Sequence, residues 1–132
     1  MRLFGKLKTS VMGKFKDLQV WRDAVDYAEA IYLMTNGPAF SRDFGLRSQL
    51  QRAVVSISAN IAEGDDRGTA KEAVYHFHVA KASSAEVISH LNIAFRIGYL
   101  DKPTFLEMED RAEKIRASLK NLIKYRTQNT RT

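Results

Sequence analysis

The chain has 132 residues, of which 45% are hydrophobic and 27% are charged, and its formal net charge is +6. This composition is typical of one globular domain with a core of its own, and it excludes an intrinsically disordered chain. It contains no cysteine and no apolar run of about 18 residues, which excludes disulfides, thiolate metal sites and a membrane-spanning helix.

The first predicted helix covers about residues 17–36, where apolar residues recur with the 3.6-residue period of a helix that has one buried face. We expect Trp21 and Tyr32 on that face, within the core, and Tyr27 outside it. Gly37, followed by a proline, is expected to end the helix.

Three further helices are predicted in the rest of the chain. The second covers about residues 45–63 and ends at Gly64. The third begins after Thr69, which has capping-box spacing to a glutamate three residues later, and it ends before Gly98. The fourth begins after Asp101, which is a candidate N-cap, and runs to near the end of the chain.

Four amphipathic helices with short connections predict an all-α domain, arranged as an antiparallel up-down-up-down four-helix bundle. We place the bundle at residues 15–126, after a basic N-terminal arm at 1–14 that is a candidate for disorder. Residues 127–132 are expected to form a disordered C-terminal tail. Lys and Gly interrupt the arm every few residues, so we expect no signal peptide and, by default, a cytoplasmic location.

Positive charge is concentrated at the two ends of the chain. Residues 1–16 carry a net charge of +5 and residues 111–132 carry +6, whereas residues 17–110 carry −5. In the predicted bundle both termini lie at one end, which predicts contact with nucleic acid or with an acidic protein. Solvated tails that only improve solubility are the alternative. The candidate nucleic-acid-binding residues are Lys14, Lys16, Arg116, Lys120, Lys124, Tyr125 and Arg126, the tyrosine by stacking on bases.

The segment QRAVVSISANIAEG at residues 51–64 is helical in pattern, yet it carries no charge between Arg52 and Glu63. Its small polar residues lie beside the apolar face, where they allow a close approach of another backbone. We interpret this polar stripe as a homo-oligomer interface, with an intrachain polar network as the alternative. Either Arg67 or Arg22 is expected to pair with the glutamate. The candidate residues are Arg52, Ser56, Asn60, Glu63 and Arg67.

No residue pattern indicates a catalytic, metal or cofactor site. A serine without a neighbouring base is not an activated nucleophile, and no histidine lies in the polar stripe. His76 and His78 are two positions apart, so on a helix they point to nearly opposite sides and cannot chelate one metal. Glu-x-x-His motifs and glycine-rich phosphate loops are also missing from the sequence. We therefore expect a non-enzymatic protein without a cofactor.

Three segments, FKDLQVWRDA, LRSQLQRAVVSISANIAEG and LNIAFRIGYL, together with Arg67, resemble the four-helix bundle protein family, also called the 23S rRNA intervening-sequence protein family. The resemblance spans about residues 15–125, and its most specific motif includes residues 60–64. It implies an antiparallel four-helix bundle that assembles as a ring-like homopentamer, with a biochemical role that is largely unassigned. Related bundles are accessory proteins of diversity-generating retroelements, in which a basic pentamer binds a reverse transcriptase and nucleic acid.

The chain departs from the family pattern at a few positions: Ser58 replaces a frequent proline, Asp65 and Asp66 replace a smaller or more apolar pair, and Ala82 and Ser84 replace glycine and leucine. Residues before 15 lie outside the resemblance. Our first functional hypothesis is a homo-oligomeric accessory protein that binds RNA or another nucleic acid through its basic end. The alternative is a protein-interaction scaffold, for example for a reverse transcriptase or another acidic polymerase, with no direct nucleic-acid role.

Overall fold

The computed structural model describes residue 15 and residues 18–128. The residues described form five helices: α1 (Gln19–Thr35), α2 (Pro38–Ser41), α3 (Phe44–Asp65), α4 (Ala70–Arg96) and α5 (Lys102–Gln128). The described residues form no strand, so the all-α prediction is confirmed. The four long helices match the four predicted ones, and the one-turn α2 lies within the first predicted connection. None of the five is long and apolar enough to cross a membrane.

Each long helix packs against two others around one core. Helix α3 contacts α1 and α4, and α5 contacts α4 and α1. Two polar contacts show which helix ends lie together. Arg126 in the last turn of α5 pairs with Asp65 at the end of α3. The Tyr99 hydroxyl, between α4 and α5, donates to Asp43 just before α3 at 2.9 Å.

Side-chain caps fix two helix starts at the predicted residues. The Thr69 hydroxyl accepts a hydrogen bond from the Glu72 backbone N–H at 3.2 Å, at the start of α4. The Asp101 carboxylate accepts one from the Thr104 N–H at 2.9 Å, at the start of α5. Hydrogen bonds from the side chain and the backbone of Thr104 hold the pKa of Asp101 below its usual value. These local signals therefore predicted the helix starts correctly.

The buried face of α1 is offset from the predicted one. Tyr32, expected in the core, is 41% exposed, whereas Tyr27, expected outside it, is fully buried. Both predictions are wrong. The phenol of Tyr27 can be buried because its hydroxyl donates to the Met108 carbonyl oxygen at 2.9 Å, and burial raises its pKa, which keeps the donor protonated. Trp21 is only half-buried, at the edge of the core.

Gly64 is the second-to-last residue of α3, so the helix ends within one residue of the predicted position, but the glycine is buried in the last turn rather than placed after it. A Cβ atom at this position would lie 2.7 Å from Cε1 of Phe77 and 3.0 Å from the Ala73 carbonyl oxygen. The glycine therefore permits a close approach of α3 and α4. Gly98, by contrast, follows the end of α4 as predicted, with a φ of +84° that favours glycine.

Candidate nucleic-acid interface

The second half of α5 carries basic side chains and no acidic residue after Glu113. Lys120 and Lys124 lie one helical turn apart, are exposed, and form no ion pair within the described chain. Tyr125, adjacent to the second lysine, is 60% exposed. We call Arg116, Lys120, Lys124 and Tyr125 the α5 basic surface. It combines positive charge with an exposed aromatic ring, as the sequence predicts for this segment.

Arg126, predicted to bind phosphate, has a partner within the chain. Its guanidinium pairs with the Asp65 carboxylate and lies 5.2 Å from the centroid of the Phe77 ring. The Asp65 side chain is only 7% exposed, so the arginine supplies the opposite charge that a nearly buried carboxylate needs. This contact holds the end of α5 against the end of α3 and competes with a phosphate contact by Arg126.

The substitution Arg126→Gln is expected to lower the free energy of unfolding by about 1–3 kcal/mol, because it leaves the Asp65 carboxylate nearly buried without its cation. Lys124→Gln, on the same helix, is the matched control and should change stability by less than about 0.5 kcal/mol. Urea denaturation measures both. Equal stability of the two variants would contradict the structural role of the arginine.

Arg116 lies on the side of α5 that lines a groove between α4 and α5. Its guanidinium donates to Glu113 at 3.3 Å, while its Nε atom is buried and has no hydrogen-bond partner among the described residues. Lys81 of α4 lines the same groove, together with Lys120. The sequence gives no signal for this lysine, because only the packing of α4 against α5 brings it beside the α5 basic surface.

The N-terminal candidates, Lys14 and Lys16, lie outside the residues that the structure describes. Their contact with nucleic acid stays a prediction. The C-terminal helix continues to Gln128, two residues beyond the predicted end of the bundle at 126.

The residues of the polar stripe on α3 lie in two environments. Ser56 and Asn60 face α4, whereas Arg52 and Glu63 are exposed to solvent. The hydroxyls of Ser56 and Ser83 are 2.8 Å apart, and the Asn60 side-chain nitrogen donates to the Ser56 carbonyl oxygen at 2.9 Å. The Asn60 side-chain oxygen lies 3.0 Å from Nδ1 of His76. Because an amide oxygen only accepts, that histidine nitrogen carries a proton. This is the intrachain network given above as the alternative to an interface.

Arg52, Glu63 and Arg67 of the candidate set are exposed. Glu63 pairs with Arg67 at 2.5 Å, one of its two predicted partners, while Arg22 donates to Gln19 at 3.0 Å. Such an exposed pair contributes at most about 1 kcal/mol to stability. Arg52 has no ion-pair partner among the described residues. Their part in an oligomer stays a prediction.

The variant Asn60→Ala is expected to lower the free energy of unfolding by about 1–3 kcal/mol, because it removes the amide that links Ser56 to His76 across the α3–α4 contact. Ser58→Ala is the control on the same helix, since its hydroxyl reaches only the Val55 carbonyl oxygen at 3.4 Å. Thermal unfolding of both variants measures the difference. A stable Asn60→Ala protein would mean that the network contributes little.

The histidines do not form a shared site. His76 belongs to the polar network, His78 is exposed, and His90 lies 3.4 Å from Glu86 on the same helix. Within residues 18–128, no group of three or more histidine, aspartate or glutamate side chains is arranged to hold a metal ion.

Comparison with known proteins identifies what the chain is similar to. The family model described as 23S rRNA-intervening sequence protein matches residues 16–121. A crystal structure from Bacteroides thetaiotaomicron, described as a protein of unknown function from the S23 ribosomal protein family, superposes with a TM-score of 0.74. It has 20% sequence identity, and the match covers 80% of this chain and 98% of that one. At this identity the likeness shows the fold alone. Comparison with curated proteins gives no match.

Proposed function

Because the chain belongs to the 23S rRNA-intervening sequence protein family, we propose that it is a non-enzymatic accessory protein that binds RNA and acts as a homo-oligomer. The α5 basic surface carries the proposal. Lys120 and Lys124 are exposed without an ion-pair partner among the described residues, and Tyr125 exposes 60% of its surface beside them. Lysines bind phosphates as point charges, and an exposed ring stacks on bases of any sequence.

Binding on this surface is driven by the backbone of the RNA. Each phosphate that a lysine neutralises releases a bound counterion, so affinity falls steeply with salt. The described surface offers positive charge and one ring, and phosphate contacts made by positive charge carry no sequence information. The protein therefore distinguishes RNA from neutral partners but distinguishes one RNA sequence from another only weakly.

We propose that the four long helices form an antiparallel bundle and that copies of it assemble into a ring-like homopentamer, as the family resemblance implies. The Asp65–Arg126 contact supports the antiparallel arrangement, because it joins the ends of two helices that are alternate in sequence. The molar mass in solution tests this: five times the 15.0 kDa chain mass is expected, and either 15.0 kDa itself or another multiple of it would contradict the pentamer.

The RNA-binding proposal is tested by the affinity of the full chain for a structured fragment of ribosomal RNA at low salt. Measurable binding that weakens as salt is raised is expected. The absence of binding at low salt would overturn the proposal. It would favour the scaffold alternative, in which the same surface docks on an acidic protein such as part of a reverse transcriptase or another polymerase. Nuclease treatment of a pull-down separates these cases, because only protein-mediated capture survives it.

A further inference from the structure

The groove between α4 and α5 is lined mainly by basic side chains. It encloses about 250 Å³ and is lined by three basic side chains and one acidic one: Lys81, Arg116, Lys120 and Glu113, with Ala117 between them. The lining therefore carries a net charge of +2. Such a concentration of like charge in a concave site is unfavourable by itself and attracts anions.

Each of the two helices contributes a lysine that no carboxylate of the described chain neutralises, Lys81 from α4 and Lys120 from α5. Lys81 is half-buried, so its aliphatic stem covers the groove, and its ammonium has no ion-pair partner among residues 18–128. Arg116 gives one nitrogen to Glu113 at 3.3 Å, but its buried Nε has no hydrogen-bond partner in the described chain. Lys120, the third cation of the lining, is exposed and also lacks an ion-pair partner in the described chain, so the groove holds two ammonium groups that no carboxylate of residues 18–128 neutralises.

Two other clefts of the described surface are less suited to an anion. One is lined by Asp23 and Asp26 as well as by Arg111 and Lys114, so its charges cancel. The cleft near the start of α4 is lined by Arg67, Lys71 and Glu72, which carry a net charge of +1, and its arginine is already paired with Glu63. Of these three clefts, the α4–α5 groove has the largest excess of basic over acidic side chains in its lining.

We infer that the groove formed by Lys81, Arg116 and Lys120 is a phosphate-binding site that holds one phosphodiester group of an RNA strand lying along the α5 basic surface. This inference rests on the function proposed above and adds α4 to the interface. A phosphodiester suits the site because its two non-bridging oxygens can accept from an arginine and from two lysines together. The strand then continues along α5 to Lys124, one turn beyond Lys120.

The test compares Lys81→Met with Lys114→Met in the full-length protein. Methionine keeps the aliphatic stem that covers the groove and removes only the charge. Lys114 is the matched control, since it lies on the same protein with the same charge but outside the groove, paired with Asp110 at 3.1 Å. The probe is a single-stranded RNA oligonucleotide of mixed sequence, and its affinity for each variant is measured across a series of salt concentrations.

Lys81→Met is expected to reduce the slope of log affinity against log salt by about 0.7, the value for one phosphate contact with a single strand. Affinity at about 0.1 M salt falls roughly fivefold, which is the loss that this slope implies. Lys114→Met should leave both quantities close to those of the wild type, and Lys81→Arg should restore them.

Two failures are distinguishable. If the wild type binds RNA but Lys81→Met matches it, or if Lys114→Met loses as much, the groove site is wrong and the proposed function stands. If the wild type does not bind RNA even at low salt, the proposed function fails, and the inference fails with it.

Discussion

The double variant Lys120→Glu/Lys124→Glu is expected to bind RNA on the order of a hundredfold more weakly than the wild type at low salt. Both side chains are exposed on α5 and lack ion-pair partners within the described chain, so the change reverses charge without breaking an internal contact. For the same reason the free energy of unfolding should change by less than about 1 kcal/mol. Fluorescence anisotropy with a labelled ribosomal RNA fragment measures the affinity, and urea denaturation measures the stability.

A second double variant controls for net charge. Lys71→Glu/Lys102→Glu changes the charge by the same amount at exposed residues in the first turns of α4 and α5. Acidic residues are tolerated there because they complement the positive end of the helix dipole. This control should retain affinity within about tenfold of the wild type. If the two double variants lose affinity equally, binding depends on total charge and the α5 basic surface has no special role.

Replacing Phe77 with alanine is expected to lower the free energy of unfolding by roughly 3–5 kcal/mol. The ring is fully buried and lies against Gly64, where α3 and α4 approach closely. It also lies 5.2 Å from the Arg126 guanidinium that pairs with Asp65. Alanine therefore leaves a cavity and removes the apolar support of that ion pair. Urea denaturation followed by circular dichroism measures the loss.

Tyr75→Ala is the matched control, since this aromatic side chain is on the same helix but 63% exposed; its effect should stay below about 1 kcal/mol. The Gly64→Ala substitution tests the contact itself. In the wild type the added methyl group would clash with Phe77, whereas in the Phe77→Ala background the ring is gone and the methyl group is tolerated better. Additive effects of Gly64→Ala and Phe77→Ala would contradict direct packing of the two residues.

Local patterns were sufficient to predict the helices. The apolar period identified all four long ones, and the caps at Thr69 and Asp101 were readable because both partners lie within three residues. The sequence did not show which face of α1 is buried. Tyr27 is amphipathic, and whether it is buried depends on the Met108 carbonyl, which lies 81 residues away. Gly64 resembles a helix terminator in sequence, and only the partner helix shows that it serves close packing.

The residues of the candidate site also divide into those that a local pattern predicts and those that only the packing of the helices places. Lys120 and Lys124 could be predicted, because a run of basic residues on an exposed helix is visible in sequence. The pairing of Arg126 with Asp65 could not, since the two are 61 residues apart and meet only where α5 packs near α3. Ser56 and Asn60 were recognised as a polar set, but their partners on α4 depend on how the two helices pack. The same holds for the position of Lys81.

The central claim, that RNA lies along α5, is tested most directly by acylating the lysines of the folded protein with and without a ribosomal RNA fragment and locating the modified residues by mass spectrometry. We predict that RNA protects Lys120 and Lys124 from acylation and leaves Lys102, in the first turn of α5, as reactive as in the free protein. Unchanged reactivity of Lys120 and Lys124 in the RNA complex, or stronger protection of Lys102, would contradict the account.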